Sequence, residues 1–319
     1  MKRFLFFRSV RALITIFIAV TITFLILRWL PGDPTTMMLD SRISEEARQK
    51  LLQDFGLDQN LLVQYFLYIK QVLFSFDLGT SFVYREPVLD VILSRLPWTL
   101  LLMGAAVVIT TLIGIPLGVV AAYHKGKFRD HIINAFSIFG IAIFIPWLSV
   151  LLLYFFGLKI PVFPIGGAVG QNLEGWDYIW SATHHLILPV ATLVLVHLAN
   201  YVLYMRASMI DVLSEDYIRT ARAKGLKEKV VVWRHATRNA LLSTVTMMGL
   251  QIGTIVGGAI LTETVFAYPG LGRLIYEAVQ QHDYPVLQGT FLILAITVVV
   301  VNILTDIIYT YLDPKIKFN

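Results

Sequence analysis

The sequence contains no cysteine, and charged residues make up only 15% of its 319 positions. The absence of cysteine excludes disulfide bonds, thiolate metal sites and cysteine nucleophiles. Soluble globular domains typically have about 25% charged and about 45–50% apolar residues, whereas hydrophobic types here reach 57%. Together with a mean hydropathy of +0.71, this composition indicates a protein that lies in a lipid bilayer.

Several motifs that carry chemistry are also absent from the sequence. There is no G-x-x-x-x-G-K-[ST] phosphate loop, no H-E-x-x-H and no G-x-S-x-G, so we expect neither ATP binding through such a loop nor hydrolysis by this chain. His184-His185 is the one pair that suggests a metal site, but adjacent helical residues point in different directions. We interpret the pair as structural or interfacial, and we expect no catalytic residue, metal site or cofactor.

Six hydrophobic segments are each long enough to cross a bilayer, which requires roughly 20 mostly apolar residues. The segments run approximately over 11–30, 98–123, 132–156, 186–205, 241–266 and 286–311. The first has a longer apolar run than a cleaved signal peptide and lacks an A-x-A-like site, so we interpret it as a retained signal anchor. The predicted fold class is an all-α integral membrane protein with six transmembrane helices.

The distribution of lysine and arginine predicts the orientation. The N-terminal tail carries four of them, the 124–131 loop three and the 206–240 loop eight, whereas 157–185 and 267–285 carry one each. Because basic loops face the cytoplasm, both termini are predicted to be cytoplasmic. The net charge of +5 is then explained by a basic cytoplasmic face, and no nucleic-acid partner is expected.

The long segment at 31–97 is predicted to lie outside the membrane on the opposite side. Its pattern predicts one helix from Ser44 to about Gly56 and a second at about 61–74. Two compatible interpretations stay open, a lid on the membrane or bundle surface and a docking surface for an external partner.

The 206–240 loop has the clearest local pattern. Ser214 is a favourable N-cap, acidic residues occupy the first turn, basic residues occupy the last, and Gly225 can end the helix. We therefore predict a helix of about three turns at 215–224, which is too short to be stable alone in water. Packing against another protein is favoured over packing on the membrane surface. The following 227–239 stretch is predicted to be an interfacial helix.

Polar residues inside the predicted spans are candidates for lining a pathway, with interhelical hydrogen bonding as an equal alternative. These candidates are Asn200, Gln251, Thr254 and Asn302. His197 is expected to face the bundle interior and to form a hydrogen bond. The glycines at 249, 253 and 257 are spaced by four and predict a smooth face for close helix contact.

Residues 216–225, D-Y-I-R-T-A-R-A-K-G, resemble the cytoplasmic signature loop of ABC import permeases. Ala221 and Gly225 match the pattern E-A-A-x-x-x-G, whereas its Glu and first Ala, and the later I-x-L-P, are not matched. Further resemblances extend over nearly the whole chain, namely L-P-G-D-P at 30–34, D-L-G-T-S at 77–81, E-T-V-F at 263–266 and D-Y-P at 283–285. The chain is similar to the first permease subunit of dipeptide, oligopeptide and nickel ABC importers.

This resemblance implies a type I ABC importer permease fold in a prokaryotic cytoplasmic membrane. It implies an anchor and extracytoplasmic segment at 1–97, a transmembrane core at 98–312 and a coupling loop at 206–240. The implied partners are a second homologous permease, two subunits that bind ATP and Mg, and an extracytoplasmic solute-binding protein that delivers peptide. The expected contacts of the coupling helix with an ATPase are Glu215, Asp216, Tyr217, Arg219, Thr220, Ala221, Arg222, Lys224 and Gly225.

Alternatives to peptide import remain. Members of the resembled family also carry nickel complexes, glutathione and oligosaccharides. A secondary transporter, a membrane-embedded enzyme and a scaffold are less favoured, because the sequence shows no convincing internal repeat, no clustered catalytic set, and a series of family motifs that a scaffold does not explain.

Overall fold

A computed structural model describes residues 2–29, 59–72 and 77–312. Within these ranges, the side chains of 2–9, 26–29, 246–247, 249–254 and 305–312 lie outside the description. The predicted helix at 44–56 and the resemblance at 30–34 also lie outside the described residues.

Helices make up almost all of the described chain, and its strand pairing is limited to an isolated bridge between Thr80 and Pro87. The helices are α1 Lys2–Trp29, α2 Leu61–Lys70, α3 Val88–Tyr123, α4 Phe128–Ala142, α5 Ile145–Leu153, α6 Gly175–Leu213, α7 Asp216–Ala223, α8 Glu228–Val230, α9 Thr237–Val265, α10 Leu271–Gln280 and α11 Tyr284–Leu312. Two π-helical segments, π1 Tyr154–Lys159 and π2 Val231–Ala236, continue α5 and α8. The predicted all-helical class is confirmed for this part of the chain.

Every predicted span coincides with a helix, but not every helix is shown to cross a membrane. Among the described residues, α3, α6 and the Tyr284–Leu304 part of α11 are long and apolar enough. The pair formed by α4 and α5–π1 adds a fourth when it is counted as one span. In α1 and α9, shorter apolar stretches are found at Val10–Leu25 and Ile255–Val265. The count of six spans and the boundaries at 1–97 and 98–312 stay predictions.

The predicted span at 132–156 is not one straight helix, because the chain bends by 100° between α4 and α5. Ile143 and Phe144 have extended backbones, with ψ angles of 127° and 117°. Pro146 lies in the first turn of α5, where a missing backbone N–H is tolerated and the fixed φ suits a helix start. Two helices therefore occupy the stretch for which the apolar pattern predicted a single span, and the second begins beside the proline.

The described chain divides into two compact units. One consists mainly of Trp98–Pro269, and the other of Lys2–Pro97 and Gly270–Val299. The larger unit has two buried hydrophobic clusters. One includes Leu102, Leu193 and Ile255, and the other includes residues from α3, α6, α7, π2 and α9. The second cluster lies beneath the helix that the sequence singled out.

Close packing of α3 on α6 depends on glycine. A methyl group placed on Gly118 lies 2.6 Å from the Cβ atom of Met205 and 2.8 Å from the carbonyl oxygen of Val202. Gly114, one turn earlier, meets the Cβ atom of Tyr201 at 2.8 Å. Small residues allow such approach between helices in a membrane. In α9, a methyl group placed on Gly258 would meet Ile145 and His197, which belong to other helices. Nothing lies within 4 Å of a methyl group placed on Gly257.

We expect Gly118→Ala to lower the stability of the protein, because the added methyl group overlaps α6; overpacking of this kind costs roughly 1–3 kcal/mol. Gly104→Ala, in the same helix, is the matched control because nothing lies within 4 Å of its methyl group. Both variants gain similar helix propensity, so the difference between their thermal unfolding midpoints in detergent reports packing. Equal midpoints would contradict the contact.

Candidate functional site

The short helix α7 lies where the sequence predicted it, but it is shorter, at Asp216–Ala223. Ser214 does not cap it, which corrects the prediction. Ser214 is the C-cap of α6, and its hydroxyl donates to the carbonyl oxygen of Asp211 at 2.6 Å. Only Glu215 separates Ser214 from α7. The Ser214 side chain nevertheless satisfies a carbonyl group at the end of α6 and not an N–H group at the start of α7. Gly225 has a φ of +74°, a conformation that favours glycine and that ends the helix as predicted.

One face of α7 is buried within the chain's own core. Ile218 is 0% exposed and Ala221 is 7% exposed, and their spacing of three places them on one face. They pack with Val231, Val232 and Ala236 of π2. Ala221 is therefore largely covered by the chain itself, and its expected contact with an ATPase stays a prediction. Its small side chain allows α7 to lie close to π2.

The other face of α7 and its flanks are open to solvent. The remaining residues of the expected contact set are exposed, namely Glu215, Asp216, Tyr217, Arg219, Thr220, Arg222, Lys224 and Gly225. Their contact with an ATPase stays a prediction. They lie on or next to a helix whose opposite face is buried.

An ion pair fastens the end of α7 to α8. The Nη2 and Nε atoms of Arg222 donate to the two carboxylate oxygens of Glu228 at 2.8 and 3.2 Å. This hydrogen bonding raises the pKa of Arg222 above its usual range. Bidentate pairs of this kind fix geometry as well as adding energy. Glu228 was missed by the sequence reasoning, although an acid six residues after a base across a glycine turn is a usable signal.

A second contact fastens the start of α7 to α9. The side-chain amide of Asn239 donates to the phenolic oxygen of Tyr217 at 2.7 Å. Asn239 lies in the first turn of α9, so the helix is tied at both ends to the chain that follows it. No sequence signal indicated this pairing, because the two residues are 22 positions apart.

Most of the predicted interfacial helix at 227–239 is helical, and its position at a membrane surface stays a prediction. This stretch consists of α8 and π2 and runs directly into α9. Val231 is 0% exposed and Val232 3% exposed, whereas Trp233 is 43% exposed. The wider turn of a π-helix alters which side chains face inward, so this stretch forms a wall of the core beneath α7.

A further ion pair joins α4 to α6. The Nε and Nη2 atoms of Arg206 donate to the carboxylate oxygens of Asp130 at 2.6 and 2.9 Å. Asp130 also accepts the backbone N–H of Gly126 at 2.9 Å. A buried carboxylate is tolerated when its oxygens are satisfied in this way. The 124–127 turn is thereby fixed to the helix that leads to α7.

The candidate pathway residues are only partly described. Asn200 is half-buried in α6 and Asn302 is exposed on α11, while the side chains of Gln251 and Thr254 lie outside the description. His197 is buried as predicted, at 5% exposure. Its expected hydrogen bond is not found at Nε2, which has no partner among the described residues.

The other unit carries a polar contact between two of the family-like segments. The hydroxyl of Ser81 donates to Asp283 at 2.5 Å, and the N–H of Val83 donates to the same carboxylate oxygen at 3.1 Å. Close by, Tyr84 donates to Glu277 at 3.2 Å, and burial together with the charge of Glu277 raises the pKa of Tyr84. Asp283 is 1% exposed, so this contact is part of the unit's interior.

The paired histidines make separate contacts. His184 stacks on Trp180 with ring centroids 6.3 Å apart, and the Nδ1 atom of His185 lies 2.7 Å from the carbonyl oxygen of Ser181. The described residues contain no group of three or more histidines and acids that could hold a metal ion.

Comparisons with known proteins agree with the geometry. The family described as "Binding-protein-dependent transport system inner membrane component" matches residues 114–318, and the corresponding N-terminal family matches residues 1–103. The oligopeptide transport system permease protein AppB of Bacillus subtilis is 39% identical over 96% of both chains. The dipeptide transport system permease protein DppB of Escherichia coli is 39% identical over 97% of both chains.

A solved structure shares the fold. An inward-facing chain of the MetNI methionine ABC transporter superimposes with a TM-score of 0.56 at 17% sequence identity. The match covers 70% of this chain and 96% of that chain.

We expect Arg222→Ala and Asn239→Ala each to loosen α7. Each removes a hydrogen-bonded contact with a net value of about 0.5–1.5 kcal/mol, with bonds to charged groups at or above the upper end, so amide hydrogen exchange in α7 should become about 2–10-fold faster. Arg219→Ala is the control, because the partner of Arg219 is the exposed Asp216 within the same helix. If all three variants changed exchange equally, the two ties would contribute nothing specific.

Proposed function

Because the chain belongs to the family of binding-protein-dependent transport system inner membrane components, we propose that it forms half of the translocation pathway of an ATP-driven peptide importer. In this proposal a second, homologous permease supplies the other half. Two separate subunits bind ATP and Mg, and a solute-binding protein delivers the substrate from outside. The chain is multi-pass, with both termini in the cytoplasm.

The observation that carries the proposal is the presentation of α7. Its inner face is buried on Ile218 and Ala221, both its ends are tied, and its outer face is polar and exposed. A helix of eight residues has little stability of its own. It is held in place by the rest of the chain, which suits a part that must transmit force from a docked subunit.

The absence of a phosphate loop in the sequence supports the division of labour. ATP must then act on a different polypeptide, and its effect must reach this chain through a protein contact. Closure of an ATPase pair moves α7. Since α7 shares a core with α6, π2 and α9, these elements move with it as a rigid body.

The proposed substrate class is supported by the relatives. AppB is a permease of an oligopeptide transport system and DppB of a dipeptide transport system, and this chain is equally similar to both. Nickel complexes, glutathione and oligosaccharides are the alternative cargoes of the same machinery. A secondary transporter is disfavoured by the family assignment.

We expect deletion of this gene to abolish uptake of a labelled dipeptide or a labelled pentapeptide, with excess nickel and oligosaccharide as parallel competitors. The length of the peptide whose uptake is lost identifies the substrate class. Uptake of the other peptide serves as the control that the cells are energised. Uptake of both peptides at the normal rate, in a strain with no redundant system, would exclude peptides and leave the other cargoes.

We expect Gly225→Pro to abolish transport while insertion and assembly persist. The φ of +74° at this position is incompatible with the proline value of about −65°, so the turn that positions α7 is lost. Gly225→Asn is the matched control, because asparagine tolerates positive φ better than other residues. Uptake and copurification of the ATPase are measured for both variants. Full transport by the assembled proline variant would refute a coupling role for α7.

A further inference from the structure

A shallow groove opens beside the segment that carries α7. It has a volume of about 150 Å³. Its floor is apolar and includes Val119, Val120 and Val232, and two aromatic side chains, Tyr123 and Trp233, stand at its edge. Both aromatic residues are partly exposed, at 45% and 43%. An apolar floor with a tyrosine and a tryptophan at the rim is typical of the level where a bilayer meets water.

The charge in the groove is positive in effect, although one acid and one base line it. Glu228 and Lys229 are the charged lining residues. Both oxygens of Glu228 are bound by Arg222, so its charge is compensated. Lys229 is exposed and forms no ion pair with any residue that the structure describes. The groove therefore presents one uncompensated ammonium group above an apolar floor.

The neighbouring turn extends this pattern. Tyr123 is the last residue of α3, and Lys125, Lys127 and Arg129 follow it, all exposed. Within the described ranges these three also form no ion pair. The nearby acid Asp130 is already bound by Arg206. The acids Asp130 and Glu228 are each neutralised by an arginine, whereas these exposed bases have no ion pair within the described part of the chain, so the surface is complementary in charge to an anionic headgroup.

We propose that this groove binds an anionic phospholipid, with the phosphate on Lys229 and the first part of the acyl chains on the valine floor. Basic pockets at the cytoplasmic side of transmembrane helices bind such headgroups. Assignment to the cytoplasmic leaflet rests on the proposed function, which places α7 on that side. Lipid binding itself does not depend on what is transported.

A lipid in this position braces the coupling segment. Glu228 lines the groove and is also the partner of Arg222 at the end of α7. The ion pair that holds α7 therefore lies next to the bound lipid. Loss of the Arg222 charge frees the carboxylate to repel the phosphate. The same substitution that loosens α7 is therefore also expected to weaken lipid binding.

The test measures lipid binding to the assembled transporter purified in detergent. Dioctanoyl phosphatidylglycerol, dioctanoyl phosphatidylcholine and inorganic phosphate are titrated separately, and binding is followed by native mass spectrometry and by the thermal midpoint. We expect phosphatidylglycerol to bind at least about fivefold more tightly than phosphatidylcholine. One lysine near a membrane surface supplies a preference of this size. Lys229→Gln should remove this preference, and Arg222→Gln should reduce it.

Lys227→Gln is the matched control, because Lys227 is exposed two residues away and does not line the groove. Retention of the preference in this variant supports the site. Equal losses in the Lys227 and Lys229 variants, or equal binding of the two lipids by the native protein, would overturn it, as would full competition by inorganic phosphate alone. Peptide uptake by the same preparation in vesicles is scored separately, so failure of the proposed function is distinguishable from failure of this site.

Discussion

A backbone inside hydrocarbon cannot form hydrogen bonds with water, so every buried N–H and C=O must be satisfied within the protein. This constraint explains why the described chain is helical, and it limits where the helices can end. The break between α4 and α5 is permitted because Pro146 contributes no N–H and because the N–H of Ile143 donates to the carbonyl oxygen of Gly140 at 3.3 Å. Close packing at Gly114 and Gly118 brings α3 and α6 together in the apolar interior.

Two ion pairs lie where the chain leaves its apolar segments. Arg206 with Asp130, and Arg222 with Glu228, lie at the ends of helices near the basic loops. Each fixes a connection to a helix that packs in the same hydrophobic cluster. The result is a single structural module that joins the turn at 124–127, the end of α6, α7 and the start of α9. A displacement of any one of these elements is opposed by the packing of the others.

The sequence predicted the position of every described helix in the apolar segments, because hydrophobic length is a strong signal. It also predicted α7 and the role of Gly225 from charge and capping patterns. It failed where tertiary packing decides. Ser214 was assigned to the wrong helix, and neither the burial of Ala221 nor the bend within the 132–156 span was predicted. Asn239 could not be found, since a side-chain contact over 22 positions leaves no local pattern.

The contact between Ser81 and Asp283 has a consequence for biosynthesis. The two residues are 202 positions apart, so Ser81 emerges from the ribosome long before its partner exists. At a synthesis rate of about 5–20 residues per second, the delay is roughly 10–40 s. During that time the 77–87 segment lacks its internal carboxylate ligand. This contact therefore forms only after most of the described chain has been synthesised, and a chain that stops before Asp283 lacks it altogether.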